Sequence, residues 1–314
     1  MKLALRVLIS AGVLAGLLLL LPWAEIRDAA SRLPLLVWLG VYAVFLLGHQ
    51  LGVLKWRTLV RAGRASFRVS DAVRCYSAGL FANLCLPSIV GGDVLRAGLA
   101  VRTTGRLEAT VLGSLADRAL DVMSLALLIA AGAILARGTL EGTPRLLVEL
   151  VLIGGVVGAA LVVFALFRIP LRRWPRRVRR TVGRTMVAVR RLWRRPRALI
   201  VAMTLSLTIQ TTFVLVNAWI GRSIGIEAPL QAWLLVWPLA KLSGLLPISL
   251  GGLGVRDATL GALLAPWGVS MARGVVAGLV WQTVLIAGGL TGGAVWWAVS
   301  RRSGLTVKVS AGKP

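Results

Sequence analysis

Long apolar runs dominate the chain and predict membrane-spanning helices. Each is near or above the roughly 20 apolar residues that an α-helix needs to cross a bilayer. The predicted full spans are residues 3–22, 34–54, 108–136, 146–167, 199–219 and 271–299. The first run follows Lys2 and Arg6, as a signal peptide would, but it has no small-x-small cleavage site, so we interpret it as a retained anchor. The pattern predicts an all-α polytopic membrane protein with about six full transmembrane helices.

Two further apolar stretches are interrupted by a repeated phrase. Residues 86–96 read LPSIVGGDVLR and residues 246–256 read LPISLGGLGVR. The proline of each copy ends a helix, and its paired glycines permit a tight turn. Inside a bilayer, non-helical backbone is tolerated only where protein or a water-filled cavity surrounds it. The repeat therefore predicts two re-entrant helical hairpins, at about residues 72–105 and 231–267.

Composition agrees with a membrane protein. Of the 314 residues, 57% are hydrophobic and only 15% are charged, whereas soluble domains carry about 25% charged residues. The mean hydropathy is +0.82. We predict a single transmembrane domain over residues 1–300 and a cytoplasmic tail over residues 301–314.

The net charge of +26 is unevenly placed, and its placement predicts topology. The excess lies in five basic segments, which are residues 2–6, 55–74, 91–106, 168–197 and the tail from 301. Cytoplasmic loops collect Lys and Arg, so both termini are expected in the cytoplasm of a bacterial cell, with the chain in its inner membrane. No stacking aromatics or recognition fold accompany the charge, so we expect no nucleic-acid partner.

The densest basic segment, 168–197, has thirteen arginines and no acidic residue. Its apolar residues from Val178 to Trp193 fall at helical spacing, which predicts an amphipathic helix on the anionic inner leaflet. A solvated loop that only sets the topology is the alternative. Whether this segment recruits a partner stays open.

The charge map also orients the two hairpins. The first is flanked by the basic segments 55–74 and 91–106, so it is expected to enter from the cytoplasm. The second follows the neutral linker 220–230 and precedes a span that leads back to the cytoplasmic tail, so it is expected to enter from outside. Inverted repeats with interrupted helices near the midplane are typical of transporters.

Polar residues within the predicted membrane segments indicate a substrate site. A charge at mid-bilayer costs at least about 2.5–3.5 kcal/mol, so such residues usually face a cavity or one another. Helix N-termini that follow the paired glycines, each with an arginine one turn in, would bind an anion. Structural ion pairing is the alternative. The candidate substrate-binding residues are Asn83, Ser88, Gly91, Gly92, Asp93, Arg96, Asp117, Arg118, Asp121, Lys241, Ser249, Gly251, Gly252, Arg256 and Asp257.

The residue types that usually carry catalysis are scarce. Cys75 and Cys85 are predicted to be packing residues, and His49, the only histidine, to be hydrogen-bonded inside a helix bundle. There is no metal-ligand set and no ATP-binding glycine loop followed by Lys-Ser/Thr. We therefore expect no enzymatic activity, no metal and no cofactor.

Three motifs resemble one known family. They are F-x-N-x-x-x-P-x-x-x-G-G-D-x-x-R (Phe81–Arg96), D-R-x-x-D (Asp117–Asp121) and P-x-S-x-G-G-x-G-x-R-D (Pro247–Asp257). This set is similar to the transmembrane, flippase-like domain of lysylphosphatidylglycerol synthases, in the stand-alone form without the synthase domain. The resemblance implies translocation of aminoacylated phosphatidylglycerol or a related anionic or polyprenyl-linked lipid. By position it implies a headgroup pathway along Asn83, Asp93, Arg96, Asp117, Arg118, Arg256 and Asp257.

Three functions follow as hypotheses. The leading one is a lipid flippase or scramblase, whose partner is a membrane lipid with an anionic headgroup. The others are a membrane-embedded enzyme that modifies lipids and a non-transporting membrane partner of a lipid synthase. A homo-oligomer is also open, and the sequence identifies neither the lipid nor the direction and energy source of transport.

Overall fold

The computed structural model describes residues 22–85, 89–136, 194–244 and 253–302. These four ranges contain α-helices and no strand. In chain order the helices are α1 (Trp23–Ser31), α2 (Leu35–Ala62), α3 (Val69–Cys85), α4 (Ile89–Thr104), α5 (Leu107–Leu135), α6 (Pro196–Ser223), α7 (Leu230–Gly244), α8 (Val255–Leu264) and α9 (Met271–Arg302). A 3₁₀ turn, Ala265–Trp267, lies between α8 and α9.

Four helices, α2, α5, α6 and α9, are long and apolar enough to cross a membrane. Each has at least 28 residues, or about 42 Å at 1.5 Å per residue, against a hydrocarbon core of about 30 Å. They coincide with four of the predicted spans. The other two, 3–22 and 146–167, lie outside the described residues, as do most of segment 168–197 and the tail after residue 302.

Helix α2 extends beyond residue 54, where the second span is predicted to end. The helix continues to Ala62, and Lys55, which the charge pattern assigns to a basic cytoplasmic segment, is buried inside the bundle. The reason is that Lys55 has carboxylate partners on α5. A count of loop cations assumes that a lysine seeks water, whereas this one is neutralised inside the bundle.

The two interrupted segments form pairs of short helices, α3 with α4 and α7 with α8. In each pair the two helices pack on one another. The longest of these arms has 17 residues, or about 25 Å, which is less than the hydrocarbon core. The close approach in the first pair needs glycine, because a Cβ on Gly79 would lie 2.8 Å from the carbonyl oxygen of Gly92. Both pairs lie where the hairpins are predicted.

The packing around the two pairs is reciprocal. The span that follows the first pair, α5, packs on the second arm of its own pair, α4, and on the first arm of the other pair, α7. The span that follows the second pair, α9, likewise packs on α8 and on α3. The internal repeat in the sequence is therefore also a repeat of packing.

An aromatic cluster ties the two halves together beside the polar residues described below. Phe213 of α6 stacks on Phe45 of α2 with ring centroids 5.8 Å apart. Trp281 of α9 meets Phe213 edge to face at 5.5 Å, and it meets Trp237 of α7 at 5.3 Å. Such pairs add about 0.5–1.5 kcal/mol each beyond the area that they bury.

Candidate functional site

The buried centre of the site is Arg96, on α4. Its Nη2 donates to Asp117 Oδ2 on α5 at 3.0 Å and lies 3.3 Å from Asp93 Oδ1, one turn earlier on α4. The guanidinium lies over the rings of Trp56 and Tyr76, 4.6 and 5.0 Å from their centroids. A desolvated cation–π contact contributes about 2 kcal/mol. Arg96 Nε has no hydrogen-bond partner among the described residues.

Lys55 joins two carboxylates of α5. Its Nζ lies 3.1 Å from Asp117 Oδ1 and 2.5 Å from Asp121 Oδ1. All three side chains are largely shielded from solvent. Because Asp117 also accepts from Arg96, its carboxylate lies between two cations and connects α2, α4 and α5.

Arg118 lies at the accessible edge of this group. Its side chain is 48% exposed, and Nη2 donates to Asp93 Oδ1 at 2.7 Å. Nη1 lies 3.5 Å from Asp121 Oδ2. A charged group that approaches from the surface of the bundle therefore meets Arg118 and Asp93 before it meets the buried Arg96 and Asp117.

Neutral groups extend the site to the second helix pair. Ser206 Oγ on α6 donates to Asp121 Oδ1 at 2.7 Å, and Gln210 Nε2 donates to the same oxygen at 3.2 Å. The other end of the amide, Gln210 Oε1, accepts from Lys241 Nζ on α7 at 2.7 Å. A continuous series of contacts thus runs from Arg96 to Lys241.

We call this set the charged network. Its members are Lys55, Asp93, Arg96, Asp117, Arg118, Asp121 and Lys241. Six of these seven residues are candidates from the sequence, and the structure brings them together. The described residues contain no group of three or more His, Cys, Asp or Glu side chains placed to hold a metal ion.

Arg256 and Asp257 lie at the start of α8 and face α9, and they make no ion pair with the charged network among the described residues. Arg256 donates twice to Asp257 Oδ1, from Nε at 3.0 Å and from Nη2 at 2.7 Å. Its Nη2 also reaches the carbonyl oxygen of Gly278 at 3.2 Å and Gln282 Oε1 at 3.1 Å. Like Arg96, it bonds the span that follows its helix pair, but it does so as half of a buried, electrically neutral pair.

Three of the remaining candidates, Asn83, Gly91 and Gly92, lie in the first helix pair near the junction of α3 and α4. Asn83 is exposed, and a Cβ added to Gly92 would collide with its side-chain oxygen. Gly91 is half-buried beside it. Ser88, Ser249, Gly251 and Gly252 lie outside the described residues.

Sequence reasoning missed Lys55, Trp56, Tyr76, Ser206 and Gln282 as neighbours of the site. Only Lys55 carried a usable signal, a lysine within one turn of a span boundary. The expectation for His49 agrees with the structure, where Nδ1 lies 3.2 Å from Tyr76 Oη. The packing interpretation holds for Cys75, which is buried, whereas Cys85 is exposed, and both are free thiols.

A family model described as "Lysylphosphatidylglycerol synthase TM region" matches residues 3–293. The match covers both helix pairs and all seven residues of the charged network. No curated protein and no solved structure is significantly similar to the chain.

Proposed function

The chain belongs to the lysylphosphatidylglycerol synthase TM region family. From the charged network inside its bundle, we propose that it is a flippase or scramblase. It moves a lipid with an anionic headgroup between the leaflets of a bacterial inner membrane. The observation that carries the proposal is the meeting of seven ionisable side chains from α2, α4, α5 and α7. Ionisable residues inside the membrane part of a protein are costly and typically mark a transport pathway.

The geometry supports a path in which only the headgroup enters the bundle. The lipid phosphate displaces Asp93 as the partner of Arg118. The guanidinium group of Arg118 is a planar fork of donors and can hold a phosphate through two hydrogen bonds. The apolar tails stay in the bilayer, against the outer faces of the spans. Energy comes from an ion gradient or from downhill equilibration.

Arg118→Gln tests this path directly. In proteoliposomes that contain fluorescent phosphatidylglycerol, we expect the wild type to expose inner-leaflet lipid to an external quencher and the variant to do so at least about tenfold more slowly, since a charged hydrogen bond contributes about 1.5–3 kcal/mol. Arg118 is half exposed, so the fold is expected to persist. Arg222→Gln removes an exposed arginine at the end of α6 and should leave the rate unchanged. A wild-type rate equal to that of empty liposomes, with aminoacylated lipid as well, would reject the proposal.

The proposed topology places the first helix pair on the cytoplasmic side and the second on the outer side. Two sets of contacts support it, one at the end of the bundle that we propose faces outward and one at the end that we propose faces the cytoplasm. Near the N-terminal ends of α1 and α9, Arg273 donates to the carbonyl oxygen of Gly225 at 3.0 Å and lies 3.6 Å from Glu25. At the far end of α2, a Cβ on Gly63 would lie 2.7 Å from Ala109, which follows the first pair.

Cysteine labelling tests this topology. After Cys75 and Cys85 are replaced, we expect Ser66→Cys and Thr103→Cys to react with an impermeant maleimide only in inverted vesicles. Glu227→Cys is expected to react only in intact cells or spheroplasts. All three native side chains are exposed, so each label is accessible. Labelling at Thr103 from outside would make the first pair a full crossing and would remove the inverted repeat.

A further inference from the structure

The charges inside the helix bundle do not balance. The charged network and the pair of Arg256 with Asp257 together contain five cations and four carboxylates: Lys55, Arg96, Arg118, Lys241 and Arg256, with Asp93, Asp117, Asp121 and Asp257. Eight of the nine have an opposite charge within 4.0 Å. Lys241 is the exception within the described ranges, so the excess of one positive charge is localised on its ammonium group.

The surroundings of Lys241 do not neutralise it. Its Nζ donates to Gln210 Oε1 at 2.7 Å and lies 5.3 Å from the ring centroid of Phe213. Gln210 also donates a hydrogen bond to Asp121, and the carboxylate of Asp121 pairs with Lys55 and Arg118. A neutral amide thus separates the ammonium group from the nearest carboxylate of the network. An ammonium group has three donors, and an uncompensated one is costly within a membrane protein.

We propose that Lys241 binds the phosphate of a lipid headgroup, so that the site becomes electrically neutral only when it is occupied. The proposal rests on the translocation function proposed above and assigns the binding of the headgroup phosphate to one residue. A phosphodiester carries one negative charge, which equals the excess of one cation. A phosphomonoester carries about 1.5 to 2 negative charges near neutral pH and would leave the site overcharged. The matching substrate is therefore a lipid phosphodiester.

The position of Lys241 fits the second stage of the path. Arg118 is the exposed member of the network, on α5, whereas Lys241 belongs to the second helix pair. Asp121 and Gln210 join the two cations through the contacts already described. A phosphate that leaves Arg118 for Lys241 passes from the first half of the repeat to the second.

Equilibrium binding to the purified full-length protein in a neutral detergent tests the proposal. The probes are dioctanoyl phosphatidylglycerol and dioctanoylglycerol, which lacks the phosphate. We expect the wild type to bind the phosphodiester at least about tenfold more tightly than the diacylglycerol, and Lys241→Gln to lose that preference. Lys241→Arg should keep most of it. The matched control, Arg222→Gln, should bind like the wild type.

Stability measurements keep the test interpretable. Because Lys241→Gln removes an uncompensated cation, we expect the apo variant to unfold at a temperature no lower than the wild type. Inorganic phosphate that competes with phosphatidylglycerol in a Lys241-dependent way supports a site open to either source of phosphate. Its failure to compete supports a lipid-only site. Normal phosphatidylglycerol binding by Lys241→Gln, a wild type without preference for the phosphate, or a Lys241→Gln protein that fails to fold would each overturn the proposal.

The same preparations separate this proposal from the proposed function. A wild type that translocates lipid while Lys241→Gln binds phosphatidylglycerol normally overturns the phosphate site and leaves translocation standing. A wild type that binds phosphatidylglycerol through Lys241 but moves no lipid in proteoliposomes overturns translocation alone.

Discussion

Replacing Asp117 with Asn is expected to lower the free energy of unfolding by about 3–5 kcal/mol, because it breaks a buried ion pair from one side. Asp117 is 2% exposed and lies between Lys55 and Arg96. Asparagine keeps the shape but not the charge, so two buried cations must share the remaining carboxylates. The unfolding midpoint in mild detergent measures the effect, and we expect lipid translocation to be lost with it.

A matched carboxylate shows whether burial is the cause. Asp71 also pairs with an arginine, Arg74, but at 3.6 Å and with 24% of its side chain exposed. Asp71→Asn should therefore change stability by no more than about 1 kcal/mol. Equal effects of Asp71→Asn and Asp117→Asn would contradict the ion-pair account.

A compensating double variant tests the network as a unit. Lys55→Met together with Asp117→Asn removes one charge of each sign and leaves two arginines facing Asp93 and Asp121. Removal of both members of a buried pair is often neutral, whereas removal of one is not. We expect the double variant to recover most of the stability that Asp117→Asn loses.

Much of this architecture follows from the sequence because lipid is a selective solvent. Apolar runs fix the positions of the four described spans, and Pro with paired Gly marks the two interrupted segments. Charges that lipid should exclude identify six members of the network. Spacing of one helical turn also predicts two of its pairs, Arg96 with Asp93 and Arg118 with Asp121, which lie 3.3 and 3.5 Å apart.

Contacts between distant helices could not be predicted in this way. The pair of Arg96 with Asp117 depends on how α4 and α5 face each other, and the rings over Arg96 come from α2 and α3. Lys55 illustrates the same limit, since its role appears only once α5 lies beside α2. Hydrophobic and charge patterns in a single sequence locate the helices, but they do not specify which helix faces pack against one another.

The repeat predicts equal roles for Arg96 and Arg256, and the structure gives each a different counterion. Arg96 finds its carboxylate on the following span, at Asp117. The following span of the second half offers only neutral acceptors, the Gly278 carbonyl and Gln282, so Asp257 beside Arg256 supplies the charge. Arg96 is thus one member of a network of several charges, whereas Arg256, among the described residues, forms an isolated ion pair with Asp257.

Arg256→Gln is accordingly expected to lower the free energy of unfolding by about 3–5 kcal/mol, with Asp257→Asn similar in size. Asp257 is fully buried, and without Arg256 its carboxylate keeps, among the described residues, only the backbone N–H of Gly254, at 3.2 Å. The double variant leaves no unpaired charge, and its two amides can still bond Gln282 and Gly254. We therefore expect it to recover most of the lost stability.

Translocation by the Arg256→Gln/Asp257→Asn protein then decides the role of this arginine. We expect near wild-type rates, because the side chain already serves Asp257, Gly278 and Gln282 and is 5% exposed. The Lys55→Met/Asp117→Asn protein should stay inactive even where it is stable, since it alters the network that we propose the headgroup crosses. A stable but inactive Arg256/Asp257 double variant would instead place Arg256 on the substrate path and restore the symmetric two-arginine site that the repeat suggests.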